Sequence, residues 1–560
     1  MKNKNYYIFL LFGALLSFSN CTDIDPENFD TVSPDTFFTN QQNVQSILFR
    51  PFTHCRYYVE NDRWRLEEYT SDQFAITTKG RHWFNGGENE RFHYHQWTPD
   101  DGWIFDTWRT TLQGVSLAID SRTDLQNIDY ESVGLTEVDK DGHVSQLNAL
   151  IGYFYMRGLG FFGGMPIFDS FEEENVPRNT AKETFEYAED LFLTAIDQIP
   201  IKDDARLGEG RITKAVAVSF LAQLYFNAEA TIGEDRFADC AKLCQEILDG
   251  KYGEYQLEPT WNGVHGFNNG DSQEILWSSP SEANFLEYRW FADLHYHYNA
   301  RQFFDFDFGA NNGAHLTPSR RPDSSLYSTT MKLGSPFEKF DDGDLRKNVY
   351  KYLGNGSYEG MFIFGPFLTP SGEPITGTEE YTDQPISMVD QVGRFSEVGP
   401  DKAYTDVDQL PSRMSEGEEN TGIRFVKVPI PNNADEGLRW GADNPIIRLA
   451  EIYYMLAECN LRGGEKGAAA TLINLVRARN FEGADPNPVT TENLDEYRML
   501  DEWGIEFLGE GRRRTDLIRW NKFTTESWWD HEPSSEYLRR FPVPTRAISG
   551  NNNLEQNPGY

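Results

Sequence analysis

The stretch Leu147–Pro166 constrains this chain most. Leu147, Leu150, Ile151, Phe154 and Tyr155 fall at i, i+3, i+4, i+7 and i+8, a broad apolar stripe along one helix face. Ala149, Gly152 and Gly158 are small enough to let a neighbouring helix come close. Gly163, Gly164 and Pro166 then end the helix, because glycine accepts a left-handed cap and proline cannot continue the hydrogen-bond ladder. The stretch therefore reads as a buried helix that stops in a sharp turn.

Comparable helices lie on both sides of it. Thr180-Ala-Lys-Glu183 is a capping-box start, followed by Phe185, Ala188, Leu191, Phe192, Ala195 and Ile199, with Pro200 as the stop. Thr213–Ala228 and Phe237–Leu248 form one antiparallel pair, and Ile446–Asn460 with Lys466–Asn480 another. Trp103–Ile119 and a segment running from Ser33 toward Phe52 add two more. The fold class predicted is mainly α. Helix pairs with small residues at their crossings are similar to tetratricopeptide units, which stack into a curved array.

Between Gly250 and Arg439 the texture changes. Helical periodicity fades, and turn signals such as Asn311-Asn-Gly, Asp341-Asp-Gly-Asp and Pro370-Ser-Gly punctuate the chain. This predicts a loop-rich insertion with short strands, packed on a helical scaffold at about 33–250 and 440–560. Loops on a rigid base are where binding residues usually sit. Two aromatic stretches stand out, Asp72–Trp103 and Tyr288–Tyr298. Aromatic rings can cover a ligand's apolar faces, and Asp, Asn and Arg can hydrogen-bond its polar rim. On that ground Trp83, with Arg81 and Asn85 beside it, is the leading ligand platform; Trp290, Tyr296 and Asp72 join it as candidates. Trp97, Trp103 and Trp108 read as core, since they lead into a helix.

Other chemistries find less support. The pairs His93/His95 and His295/His297 lack the further ligands a zinc site needs. Asp341, Asp342 and Asp344 read as an ordinary acidic turn before Arg346, and Glu506/Glu510 as helix-tying carboxylates rather than a catalytic pair. No phosphate loop, dinucleotide fingerprint or nucleophile elbow occurs, so no cofactor and no metal is expected. A formal charge of −37 argues against nucleic acid and against docking on an anionic membrane surface. Cys240 and Cys244 lie one turn apart on a helix, and with Cys55 and Cys459 they read as core thiols, a disulfide remaining open. At the N-terminus, Lys2 and Lys4 precede the short apolar run Ile8–Leu16 and a polar exit, a signal-peptide pattern over residues 1–20.

Cys21, directly after it, resembles a bacterial lipoprotein processing site, with 21–32 an acidic tether. A larger resemblance covers nearly the whole chain. The helix with Asn148-Ala149, Tyr153-Phe-Tyr155 and the turn at Phe162-Gly-Gly-Met-Pro166 resembles the SusD/RagB family. So do Arg448-Leu-Ala-Glu, Asn474-Leu-Val-Arg-Ala-Arg, Glu506-Phe-Leu-Gly-Glu-Gly-Arg-Arg-Arg-Thr-Asp-Leu-Ile-Arg-Trp520 and the ending through Asn557-Pro-Gly-Tyr560, in the family's order. The resemblance implies one SusD-like domain over 33–560, anchored by lipid on the outer face of the outer membrane. It implies a non-enzymatic function: capture of an extracellular glycan and delivery to a SusC-like TonB-dependent transporter. The competing expectations are a tetratricopeptide-like scaffold or binder of peptides or small nutrients, and, less favoured, a surface glycoside hydrolase.

Overall fold

A computed structural model describes residues 37–59, 63–170, 175–202, 210–287, 292–399 and 404–560. Within them the chain is mainly helical. The first helices are α1 (Gln41–Tyr57), the short α2 (Arg63–Glu68), α3 (Gly102–Asn127) and α4 (Glu137–Phe162). Next come α5 (Ala181–Ile196), α6 (Lys214–Phe226) and α7 (Phe237–Leu248). After a long interval follow α8 (Leu449–Arg462), α9 (Lys466–Arg477), α10 (Glu496–Glu506) and α11 (Arg513–Arg519).

Helix α4 is the predicted buried helix, extended by ten residues at its start. Glu137–Leu147 is too polar to show an apolar period, yet a capping box nucleates it: the Thr136 hydroxyl accepts the Asp139 N–H and the Asp139 carboxylate accepts the Thr136 N–H. The helix ends at Phe162, and Gly163 takes a φ of 77°. Its apolar stripe meets α3 on one side and α5 on the other. At Gly152 a β-carbon would sit 2.7 Å from Phe192 of α5, and at Gly114 of α3 one would sit 2.3 Å from the Phe154 ring. These glycines let the helices cross at backbone distance. The predicted Thr180 box also forms, with Glu183 receiving the Thr180 N–H at 2.7 Å.

The pairing continues as an array. Helix α1 packs on α3, α3 on α4, α4 on α5, α5 on α6, α6 on α7, α7 on α8 and α8 on α9. The contact between α7 and α8 matters most, because about two hundred residues separate them in sequence. The inserted stretch therefore leaves and re-enters the array without breaking it. Its ends are joined by an antiparallel ladder between β2 (Ile275–Ser279) and β10 (Asn444–Arg448).

The other ladders are two-stranded and short: β1 (Phe74–Ala75) with β3 (His315–Leu316), and β4 (Lys351–Gly354) with β5 (Ser357–Glu359). Likewise β6 (Phe362–Ile363) pairs with β9 (Arg424–Phe425), and β7 (Gly365–Pro366) with β8 (Ser387–Met388). The scaffold's large core is joined by a second, in the insertion, built from Phe267, Tyr296, Phe304, Phe306, Tyr350, Phe367 and Trp440. Trp97 and Trp108 are buried in the scaffold core and Trp103 is half-buried against it. Cys55, Cys240, Cys244 and Cys459 are free and buried, with 3.8 Å between the sulfurs of Cys240 and Cys244. Among the described residues, no helix is long and apolar enough to cross a membrane.

Candidate functional site

The loop after β1 gathers four left-handed residues within five positions. Lys79 and His82 exchange both main-chain hydrogen bonds, at 3.0 and 2.8 Å, closing a tight hairpin around Gly80 and Arg81. Beyond it Trp83 has φ 66° and Asn85 φ 44°, followed by Gly86 at 63° and Gly87 at 78°. A bulky residue such as tryptophan in this left-handed region costs on the order of 1–3 kcal/mol and persists only where its surroundings hold it. Here they do. The indole N–H donates to the Asn311 carbonyl at 2.9 Å, and Asn89 donates to the Trp83 carbonyl at 2.7 Å. The benzo edge lies against Gly313, where a β-carbon would sit 2.8 Å from the ring. Trp83 is thus half-buried and fixed in orientation. Its neighbour Phe84 is 54% exposed.

Below the loop lies buried Lys79, whose Nζ donates to the Gly313 carbonyl at 2.7 Å. Burial, and then the Arg424 charge, hold this amine well below the ordinary lysine value.

The facing wall belongs to residues 376–381, and a buried carboxylate organises it. Glu419 accepts the N–H groups of Thr378, Glu379 and Tyr381 at 2.7, 3.1 and 2.7 Å, with His297 Nε2 at 3.2 Å. Burial alone would raise this acid, but these donors hold it down to about 2. The turn so fixed presents Glu379 to the loop: His82 Nε2 lies 3.2 Å from its carboxylate, and Arg81 Nη2 3.8 Å. Tyr298 closes the side, its ring 5.9 Å from that of His82 and its hydroxyl pushed up to about 12 by burial and by Glu379 and Glu380. The assembled surface offers aromatic rings of fixed orientation beside a guanidinium, an imidazole and carboxylates.

Of the sequence candidates, Arg81, Trp83 and Asn85 lie together on this loop. Asp72 does not join them. It is buried beneath, with its two oxygens on Arg513 at 2.7 and 3.0 Å and the Gly334 N–H at 2.8 Å. An ion pair at that depth ties the loop base to α11 and leaves the carboxylate nothing to offer a ligand. Tyr296 is also interior, 2% exposed between Phe304 and Phe308. Tyr298 faces the loop instead, because the chain enters the insertion's core at 296 and leaves it two residues later. Trp290 and Cys21 lie outside the described residues.

Sequence reading missed His82, Phe84, Tyr298 and Glu379. Phe84 had a signal, being the ring beside Trp83, whereas Glu379 sits 297 positions from His82 and had none. The other histidines serve packing: His93 reaches the Trp529 carbonyl at 3.0 Å, His95 that of Thr70 at 2.9 Å, and His295 the Tyr69 hydroxyl at 3.2 Å. Asp344 and Asp341 pair with Arg346 and Arg477.

Glu506 and Glu510 stand at the join between scaffold and insertion. Glu506 takes Arg346 at 2.9 Å, Arg448 at 2.8 Å and Arg479 at 2.7 Å, and Glu510 takes Arg448 and Lys427, both at 2.8 Å. Burial opposes their ionisation, but the surrounding cations outweigh it and hold both acids below the usual carboxylate range. Neither keeps a proton to donate at neutral pH, which a glycoside-cleaving acid must do.

Comparison with known proteins agrees with this architecture. The starch-binding protein SusD of Bacteroides thetaiotaomicron is 38% identical over 126 residues, 21% of this chain and 22% of that protein. This chain thus matches about a fifth of that relative's length. Surface glycan-binding protein A from the same species has a similar structure, with TM-score 0.65 and 17% identity, covering 93% of this chain and 100% of that one. Its complex with laminarihexaose gives TM-score 0.61 at the same identity and coverage. At such identities the likeness establishes the fold. The family model described as the SusD family matches residues 256–538, just over half the chain from the start of the insertion through α11, and the chain belongs to that family.

Proposed function

We propose that this protein is a non-catalytic binding protein that captures a neutral extracellular glycan on the Trp83 loop and passes it to a TonB-dependent outer-membrane transporter. Lipid on Cys21 holds it at the cell surface in this reading. The observation that carries the reading is the locked left-handed backbone at Trp83. Strain of this kind is retained where a side chain must be held in one place. A ring fixed before binding loses little freedom when a sugar face stacks on it. Arg81, Asn85, His82 and Glu379 then reach the hydroxyl rim. A relative named for starch binding and a similar fold solved with laminarihexaose support the ligand class. The net charge of −37 favours neutral chains over uronates or sulfated glycans, which its field repels.

The test is Trp83→Ala, titrated calorimetrically with laminarihexaose, maltohexaose and cellohexaose, alongside a thermal melt. Affinity for the sugar that binds should fall roughly a hundredfold, the scale of a lost hot-spot ring. Because the ring is only half-buried, stability should fall by less than the roughly 3–5 kcal/mol of a core tryptophan. Unchanged affinity with a large drop in melting temperature would make Trp83 a packing residue and remove this site.

A further inference from the structure

A second cleft lies elsewhere on the insertion. It has a volume of about 710 Å³ and runs between β4, β7 and the short helix Ala300–Phe304, sharing no residue with the Trp83 surface. Its size falls within the range of sites that bury small ligands. Five rings line it, those of Phe303, Phe304, Tyr350, Tyr352 and Phe364, and neighbours hold three of them as follows. Phe303, half-buried, stacks on Phe367 with centroids 5.1 Å apart and planes 12° apart. Tyr352 is pinned at its hydroxyl, which donates to Asp435 at 2.6 Å and accepts the Gly356 N–H at 2.9 Å. Phe364 packs on Phe337 at 4.9 Å.

Around these rings stand Lys351 and Glu359, directly opposite each other across the β4–β5 ladder, and Asp305 at the end of the short helix. All three are exposed, and their side chains have no ion-pair or hydrogen-bond partner among the described residues. The paired charges of the insertion, such as Arg346, Lys427 and Glu419, are buried instead. Ring faces with free hydrogen-bonding groups at their rims match a chain of hexoses. One cation against two carboxylates gives no positive field to hold a polyanion.

We infer that this cleft is a second binding site for a neutral oligosaccharide, so that one protein holds a polysaccharide at two points. The inference rests on the reading of the chain as a glycan-binding protein. Two attachments on one polymer convert the second into an intramolecular event, so polymers bind more tightly than short oligosaccharides.

The experiment titrates the full chain and three variants, Trp83→Ala, Phe303→Ala and the surface double variant Lys351→Ala/Glu359→Gln, with the three hexaoses named above. Melting curves accompany each titration. The wild type should show two binding events for the recognised hexaose. Trp83→Ala should remove one of them and Phe303→Ala the other, while the surface variant weakens the second about tenfold. That variant touches no core and guards against a folding defect in Phe303→Ala. A single event, lost in Trp83→Ala and untouched in the other two, would overturn the second site and leave the proposed function standing. Absence of binding to any hexaose would overturn both. Binding of an extended peptide in the cleft, with no sugar bound there, would overturn the second site alone.

Discussion

Two buried glutamates show how single residues set the limits of this fold. Glu68 receives the N–H groups of Gly511 and Arg512 at 2.8 and 3.1 Å on one oxygen, while the other oxygen is buried without a partner. Burial, reinforced by Glu67 beside it, pushes this acid up to about 8 despite those bonds. Glu419 is as deeply buried, but four donors hold it at about 2. The pH consequences have opposite sign. An acid raised in the folded state from its ordinary 4.5 favours unfolding increasingly between pH 4.5 and 8, with a constant effect above that. Glu68→Gln should therefore gain stability relative to wild type across that interval, read from urea midpoints at a series of pH values. An acid depressed in the folded state contributes stability that is full above 4.5 and lost as pH falls toward 2. Glu419→Gln should remove that acid-side dependence, and a parallel pair of pH profiles would show that the donors to Glu419 do not matter. Sequence reading could not separate these two residues. Each is a glutamate beside another acid, and the donors come from distant segments.

At the scale of elements, glycine sets the distance between helices. Gly114 lies opposite Phe154 where α3 and α4 cross, and a β-carbon there would come within 2.6 Å of three ring atoms. Gly114→Val improves helix propensity by under ~1 kcal/mol but overpacks the crossing by about 1–3 kcal/mol and brings a branched side chain to it. The expected result is a net loss of about 1–2 kcal/mol in denaturant unfolding, partly recovered by Phe154→Leu in the same chain. A neutral Gly114→Val would show that the crossing yields and that the small residue is incidental. Gly152 was legible as a crossing residue because it sits inside a strongly periodic helix, whereas Gly158, read the same way, faces Met165 of the turn that follows its own helix. Gly114 lies in a helix whose period was also visible, but its partner ring was not.

At the scale of the whole molecule, buried ion pairs join the insertion to the array. Arg346 from the insertion and Arg448 and Arg479 from the scaffold converge on Glu506, and Asp72 below the Trp83 loop meets Arg513 of α11. Removing one partner from such a cluster leaves the others buried and uncompensated, a cost of about 3–5 kcal/mol. Glu506→Gln should lower stability by that amount, with faster hydrogen exchange in both the scaffold helices and the 346–363 strands. Exchange confined to one of them would mean the two are not coupled through this residue. Replacing Cys21 with alanine should release the protein from the membrane fraction; retention there would remove lipid as the anchor.

The amino-acid sequence by itself determined the helical array and its family. Helix periodicity, capping boxes and glycine stops are local signals, written within a few residues of the structure they cause. The Arg and Glu landmarks carry the resemblance because each position is recognisable in order along the chain. The loop of Arg81, Trp83 and Asn85 was legible too, since rings, polar residues and paired glycines fall in one short stretch. Tertiary structure alone decided which residues face that loop. Whether Tyr296 or Tyr298 reaches the surface depends on where the chain dips into the insertion's core. The sequence 288–298 has no single period to say so. Asp72 looked like a ligand residue until α11 brought Arg513 to it from the far end of the chain. Glu379 and Glu419 gain their roles from contacts made across hundreds of residues. Local propensity fixes elements, whereas a binding surface is assembled from segments that meet only after the core has formed.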